Sequence, residues 1–280
     1  MSTLSQQMDN AMVLRGFADK TREAYLASVR GLAKYYHQSP DGLTDKQVQD
    51  YLLYLIQERK LAPSSCNVAV NGLRFFFLKL LSHPATKFDI PLARRPRKLP
   101  ELLSREEIAR LFAVTSAPKA RVVFALAYGA GLRVSEICKL RIHHIDSDQM
   151  TIRVEQGKGG KDRYTLLSDR LLYELRRYWK ARRPRDYLFP TRDGKGPMDA
   201  GTAQKLYYKA KAKANITKQV GIHGLRHAFA THLLEGGTDI HTIQRLLGHR
   251  QISTTLLYFH LARSHLARQP SPLELLDLTR

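Results

Sequence analysis

Cysteine is nearly absent from this chain: Cys66 and Cys138 are the two among 280 residues, and no Cys-x-x-Cys or Cys/His metal spacing involves them. That excludes a disulfide framework and a cysteine-built zinc site, and both residues read as small core side chains in a reducing compartment. Long apolar runs are also missing. The greasiest stretch, GLRFFFLKLL over 72–81, is too short and too basic to span a bilayer, and MSTLSQQMDNAMVLRGF at the start has no apolar signal core. Neither membrane insertion nor secretion is expected, and a cytoplasmic, nucleoid-associated protein is the reading. Low-complexity tracts and internal repeats do not occur, which argues against disorder and against a solenoid. Acidic residues are scarce. Asp and Glu total 25 against 46 Lys and Arg, giving a net charge of +21 and a pI near 10.1. A polyanionic partner such as nucleic acid or an acidic membrane surface follows. The excess is no disordered tail: residues 1–100 carry 15 basic and 8 acidic groups, and residues 101–280 carry 31 and 17.

What is present reads as one large or two ordinary domains. Residues 18–36 place Ala24, Tyr25, Val29, Leu32 and Ala33 at helical spacing behind Asp19 or Thr21 as cap. A second helix in LTDKQVQDYLLYLIQERK has Thr44 as cap and Val48, Tyr51, Leu52 and Leu55 on one face, and a third lies in APSSCNVAVNGLRFFFLKLL. Then FDIPLARRPRKLPELLS joins three prolines to a cluster of arginine and lysine, the composition of a stiff basic linker. Beyond it, Ser104 and Glu107 form a capping-box pattern, and ARVVFALAYGAGLRVSEICKL holds two helices parted at Gly129 to Gly131. The alternating TIRVE and RYTLL flank a glycine-rich lysine turn, a β-hairpin signature. Residues 168–220 return to basic helical patterns, with KAKAKA over 209–214 reading as a solvated face.

Chemistry concentrates near the end. A helix beginning near Gly224 would put His223 and Arg226 on one face and Leu225, Phe229 and Leu233 on an apolar stripe. His223 and His227 are spaced for zinc, but glycine follows the first histidine where the zinc-protease motif needs glutamate, so His227 and His232 read as packing or supporting groups. TDIHTIQRLLGH reads as a short amphipathic helix capped by Thr238 or Asp239, burying Ile240, Ile243, Leu246 and Leu247, with Gly248 as its C′ residue. His249 follows it, and a fresh helix from Ser253 carries Tyr258.

Taken in order, GAGLRVSEICKLRIHHID, GKGGKDRYTLL, HGLRHAFATHLLEGG and LLGHRQISTTLLYFH resemble the first arginine motif, the lysine hairpin, the His-x-x-Arg motif and the closing histidine and tyrosine of the tyrosine recombinases, the phage-integrase and integron-integrase family. The N-terminal helices and linker resemble that family too. The resemblance implies a mainly α fold with a small β-hairpin or sheet, arranged as a two-domain C-shaped clamp. A helical core-binding domain would occupy 1–90, the basic proline-rich linker 91–101, and a mixed α/β catalytic domain with its C-terminal tail 102–280. It implies a site-specific DNA recombinase in which Tyr258 attacks a phosphodiester to give a 3′-phosphotyrosyl enzyme and a free 5′-hydroxyl. Arg133 and Arg226 would clamp the non-bridging oxygens, Lys158 would protonate the leaving 5′-oxygen, and His223 and His249 would hydrogen-bond the phosphate and assist proton transfer. Glu136 is a candidate brace for Arg133, and Lys161, Tyr207 and Tyr208 are rivals for the lysine and tyrosine roles. No metal, ATP or other cofactor is implied and no small-molecule substrate.

The implied partners are double-stranded DNA recombination sites, touched through about ten to fifteen phosphates. Further copies of this chain are implied as well, a tetramer on DNA joined by the tail HLARSHLARQPSPLELLDLTR. The long insertion that integron integrases carry before the His-x-x-Arg motif is missing, which counts against single-stranded sites. A type IB topoisomerase and a catalytically idle DNA-binding regulator are the alternatives. An idle binder would have no use for Tyr258.

Overall fold

The structure, a computed structural model, describes residues 3–82, 101–155 and 162–261, the side chains of 259–261 excepted. Residues 91–100 of the expected linker, Lys158, Lys161 and the tail beyond residue 261 lie outside the described residues. Two compact units divide the chain, Met1–Lys98 and Leu99–Arg280. Among the described residues no helix is long and apolar enough to cross a membrane.

The first unit is helical throughout its described length: α1 (Thr3–Val13), α2 (Asp19–Tyr36), α3 (Asp45–Gln57) and α4 (Pro63–Arg74), which runs on as a π-helical turn over Phe75–Leu80. Helix α3 follows its local chemistry. Thr44 closes a full capping box with Gln47, and Val48, Tyr51, Leu52 and Leu55 are the buried face. Helix α2 departs from expectation. Its N-cap is Ala18, with no side-chain cap, and Asp19 is already inside the first turn, where it pairs with Arg22. A carboxylate there complements the helix dipole without capping it. Helix α1 had no sequence counterpart, because only Met8 and Met12 are buried along it. These two methionines meet Leu32, Leu73, Phe76 and Phe77 in the unit's core, all at 1% exposure or less.

The second unit holds α5 (Arg105–Ala113), α6 (Pro118–Gly129), α7 (Val134–Lys139), a three-stranded antiparallel sheet in the order β1 (Ile145–Asp146), β2 (Thr151–Val154), β3 (Arg163–Leu166), and then α8 (Asp169–Arg182), α9 (Ala200–Lys213), α10 (His223–Glu235), α11 (Ile240–Leu247) and α12 (Ile252–Leu261). Ser104 and Glu107 form the capping box of α5. Helix α6 is the buried centre of this unit, with seven of its residues, from Ala120 to Ala127, out of solvent. The hairpin register pairs Val154 with Arg163 and Ile152 with Thr165. Ile152, Val154 and Thr165 thereby face inward, and Arg163 sits at the base of the lysine loop. Thr165 Oγ1 donates to Ala130 O at 2.8 Å, tying the sheet to the turn between α6 and α7. Residues 183–199, within the stretch expected to be helical, form a connection held by the Arg141–Tyr187 and Pro190–Pro197 bridges. Cys66 and Cys138 are buried and in no disulfide.

Candidate active site

The site is built from two helix ends and one carboxylate. Arg133 occupies the N-cap position of α7 in extended backbone, and Glu136 accepts both its backbone N–H (2.8 Å) and its Nη1 (2.7 Å). The same carboxylate takes Arg163 end-on, Nη1 to Oε1 at 2.9 Å and Nη2 to Oε2 at 2.7 Å, and lies 3.7 Å from Arg226 Nη1. Burial raises the Glu136 pKa, and the hydrogen bonds and charge of Arg163, with those of Arg133, overcome it and hold the carboxyl at about 2. One carboxylate therefore serves three guanidiniums.

The carbonyls left open at the end of α11 hold two of those arginines. Gly248 ends the helix in the left-handed region at φ +63°. The exposed Leu246 carbonyl accepts Arg163 Nε at 3.0 Å, and the Leu247 carbonyl accepts Arg226 Nη2 at 2.7 Å. Arg226 Nη1 donates to Gly131 O. Both glycines are required by space as well as by φ. A Cβ on Gly248 would stand 2.6 Å from Arg163 Cδ, and one on Gly131, also at φ +63°, 2.5 Å from the Phe229 ring. Arg226 is 4% exposed, and burial, then Arg133, lowers its pKa to about 10. It stays cationic at neutral pH.

Tyr258 and the histidines complete the pocket. Tyr258 is 3% exposed, and burial raises its pKa against the opposing pull of Arg226 and Arg133. His249 stacks on it with ring planes 15° apart and centroids at 6.1 Å. Both His249 nitrogens are engaged: Nε2 lies 3.3 Å from Arg226 Nη2, and Nδ1 lies 2.9 Å from the fully buried Thr255 Oγ1. Arg226 can only donate, so the His249 proton sits on Nδ1 and goes to Thr255. Burial, then Arg226 and Arg133, holds that imidazole near a pKa of about 4, hence neutral. Thr255 and Tyr258 share the inward face of α12 at i, i+3, so the nine-residue interval spans one connection and one helical turn. His223 is at the exposed start of α10, its pKa lowered by burial and by Arg226 and Arg133.

Of the residues singled out in the sequence, Arg133, His223, Arg226, His249 and Tyr258 are brought to one pocket. Tyr207 is not: it lies fully buried against Phe124, its hydroxyl unpartnered among the described residues and its pKa pushed up to about 12 by burial. Tyr208 is exposed. His232 bonds Tyr128. His227 does more than pack, since its Nδ1 lies 3.1 Å from the Tyr258 hydroxyl. Sequence reading missed Arg163 and Thr255 altogether. Their partners lie on other elements, and the motifs that contain them point to the lysines and to Tyr258 instead. One His/Glu group has metal-compatible spacing among the described residues, His143, His144 and Glu155. There His144 Nδ1 accepts the Arg141 N–H, which leaves the proton on Nε2, 3.3 Å from Glu155. A protonated nitrogen offers no lone pair, so His144 in this state lies near the carboxylate without a hydrogen bond to it and presents no ligand atom to a metal.

A buried hydroxyl beside guanidiniums that outnumber their carboxylate suits a tetrahedral oxyanion. Residues 101–265 match the phage integrase family and residues 4–87 the N-terminal SAM-like domain of phage integrases. The chain is 40% identical to a putative integrase/recombinase of Sinorhizobium fredii over 99% of its own length and 90% of that protein's. It is 38% identical to the tyrosine recombinase XerA of Pyrococcus horikoshii over 78% and 77%. Among solved structures, the site-specific recombinase XerH in a post-cleavage complex with its palindromic difH substrate shares the fold at TM-score 0.72 and 20% identity, covering 95% of this chain and 83% of that one. A lambda integrase dimer bound to a core site does so at 0.74 and 18%, covering 91% and 96%. The chain belongs to the phage integrase family of tyrosine recombinases and is a site-specific DNA recombinase.

Proposed function

We propose that this recombinase cuts and rejoins double-stranded DNA through a 3′-phosphotyrosyl intermediate on Tyr258, with Arg133 and Arg226 binding the scissile phosphate. The observation that carries the reading is the charge imbalance beside Tyr258, where among the described residues Arg133, Arg163 and Arg226 face one carboxylate, Glu136. Uncompensated buried cations are costly, and an entering phosphate relieves that cost where charge develops in the transition state. The Tyr258 oxygen forms a bond to phosphorus as the bond to the 5′-oxygen breaks, and Lys158 gives the leaving oxygen its proton. His223, exposed at the start of α10, donates to the phosphate. His249 does so from Nε2 once the Thr255 hydroxyl turns to donate into Nδ1, since a hydroxyl serves either tautomer. A 5′-hydroxyl from another strand reverses the step and exchanges strands.

The same reading assigns the helices of 1–90 to gripping the duplex, 91–101 to tracking its backbone and 102–280 to catalysis, with no metal or nucleotide cofactor. The complexes of XerH and lambda integrase with their DNA sites support duplex DNA as the partner. Ile252, Leu256 and Leu257 lie exposed on α12 while Thr255 and Tyr258 are buried, an apolar face that fits docking between copies of the chain in a tetramer completed by the tail. The working place is the cytoplasm, at the nucleoid.

The test is covalent capture. Incubating the protein with duplex fragments from around its own gene should give a protein–DNA adduct that resists denaturation, and Tyr258→Phe should give none. An adduct that survives Tyr258→Phe sinks the mechanism. Relaxation of supercoiled plasmid without strand exchange would move the reading to a type IB topoisomerase.

A further inference from the structure

The reaction needs a base for the Tyr258 proton, and the geometry points to His227. His249 stacks on the tyrosine ring, and before DNA enters its two nitrogens meet Arg226 and Thr255, not the Tyr258 hydroxyl. His223 is at the exposed mouth. His227, one helical turn further into α10, places Nδ1 3.1 Å from the Tyr258 hydroxyl, with ring centroids 5.6 Å apart. We propose that His227 Nδ1 accepts the Tyr258 proton as the phosphodiester is cut and returns it on rejoining.

The inference rests on Tyr258 being the nucleophile and adds a step that reading leaves open. The Tyr258 O–H bond breaks and its proton moves to Nδ1. The tyrosine oxygen bonds phosphorus, the bond from phosphorus to the 5′-oxygen breaks, and that oxygen takes a proton from Lys158. Reversal restores every group. A base here must be neutral before the step. Burial, then His223 and Arg226, lowers the His227 pKa, so the imidazole enters unprotonated. The groups facing it are His223 and Arg226 on its own helix, His249 after α11 and Tyr258 on α12. The positive charge it gains is offset by the second negative charge growing on the phosphate.

Two measurements test this. In the free protein, 15N spectra of labelled histidine should show His227 with its proton on Nε2 and an Nδ1 resonance that shifts in Tyr258→Phe. On the duplex that gives the wild-type adduct, His227→Ala and His227→Asn should slow single-turnover cleavage by about 10²–10⁴-fold. His227→Asn, which keeps an acceptor but cannot take up a proton, should also lose the acid limb of the pH–rate profile. Replacing the bridging 5′-oxygen by sulfur, a leaving group that needs no proton, should rescue Lys158→Ala and leave the His227 variants slow. Equal melting temperatures and DNA affinity exclude misfolding as the cause. Wild-type rates in both His227 variants, rescue of them by sulfur, or a proton on Nδ1 that ignores Tyr258→Phe would overturn the proposal. An adduct from Tyr258→Phe would instead overturn the nucleophile assignment on which it rests.

Discussion

Glu136 organises the pocket as the one carboxylate, among the described residues, that its three arginines share. Its carboxyl is 9% exposed and is matched to Arg133 and Arg163 at 2.7 Å. Removing it leaves like charges facing one another in low dielectric, so Glu136→Gln should destabilise the second unit by about 3–5 kcal/mol, read as a fall in melting temperature. The same group fixes an acid window. A carboxyl at about 2 when folded and near its ordinary 4.5 when unfolded stabilises the fold in full above about pH 4.5. That contribution, on the order of 3 kcal/mol, is lost as pH falls toward 2. His249 acts earlier. At about 4 against an ordinary 6.5 it resists protonation in the folded state, so stability starts to fall as pH drops below about 6.5. Melting temperature should therefore decline in two stages, and Glu136→Gln should remove the lower one. A wild-type curve flat from pH 7 to 3 would contradict both shifts.

Element by element, what could be read from sequence was what local chemistry determines. The Thr44 and Ser104 capping boxes each span four residues, and the buried face of α3 repeats within one helix, so both stand out in a linear pattern. Helix α1 does not, because Met8 and Met12 are too few to mark a period. Pocket residues found as motifs, such as Arg226 and Tyr258, sit in short runs of distinctive type. Arg163 was illegible, since its partners Glu136 and Leu246 are 27 and 83 residues away and only the register of β2 with β3 brings it to them. His227 was visible as a histidine, but its neighbour Tyr258 is 31 residues off. Gly248 joins the two kinds of information: its C′ role is local, and the Arg163 stem lying against it is not. Gly248→Ala should cost about 1–2 kcal/mol for the left-handed backbone and, by displacing Arg163, slow adduct formation beyond what that loss explains. Gly237→Ala is the control, with φ +91° and nothing within 4 Å of a new Cβ, and it should lower stability while sparing the cleavage rate. Equal effects of the two on cleavage would show that Arg163 does not matter to the pocket.

Across the whole molecule the net charge of +21 is shared by both units, yet not every cation is free to meet DNA. Arg22, Arg121, Arg153 and Lys218 already hold carboxylates at 2.7–2.9 Å. The free ones are better ordered than their sequence implies. On α9, Ala203, Tyr207 and Ala210 are buried, and Lys205, Lys209 and Lys213 recur every fourth residue on the exposed side. Lys209 and Lys213 of the KAKAKA run thus line up with Lys205 along one exposed basic stripe, which agrees with a solvated face. Each phosphate neutralised contributes about 0.9 to the slope of log affinity against log salt, so about ten to fifteen contacts give a slope of roughly −9 to −13.5. Changing Lys205, Lys209 and Lys213 together to Gln should make that slope shallower by about 3, on a random-sequence duplex as on the recombination site, because phosphates carry no sequence. The melting temperature should stay unchanged, since none of the three supports the core. A wild-type slope shallower than about −4 would mean that most of the charge excess never reaches the backbone. An unchanged slope in the triple variant would place the α9 stripe in water, leaving the duplex to the other basic faces.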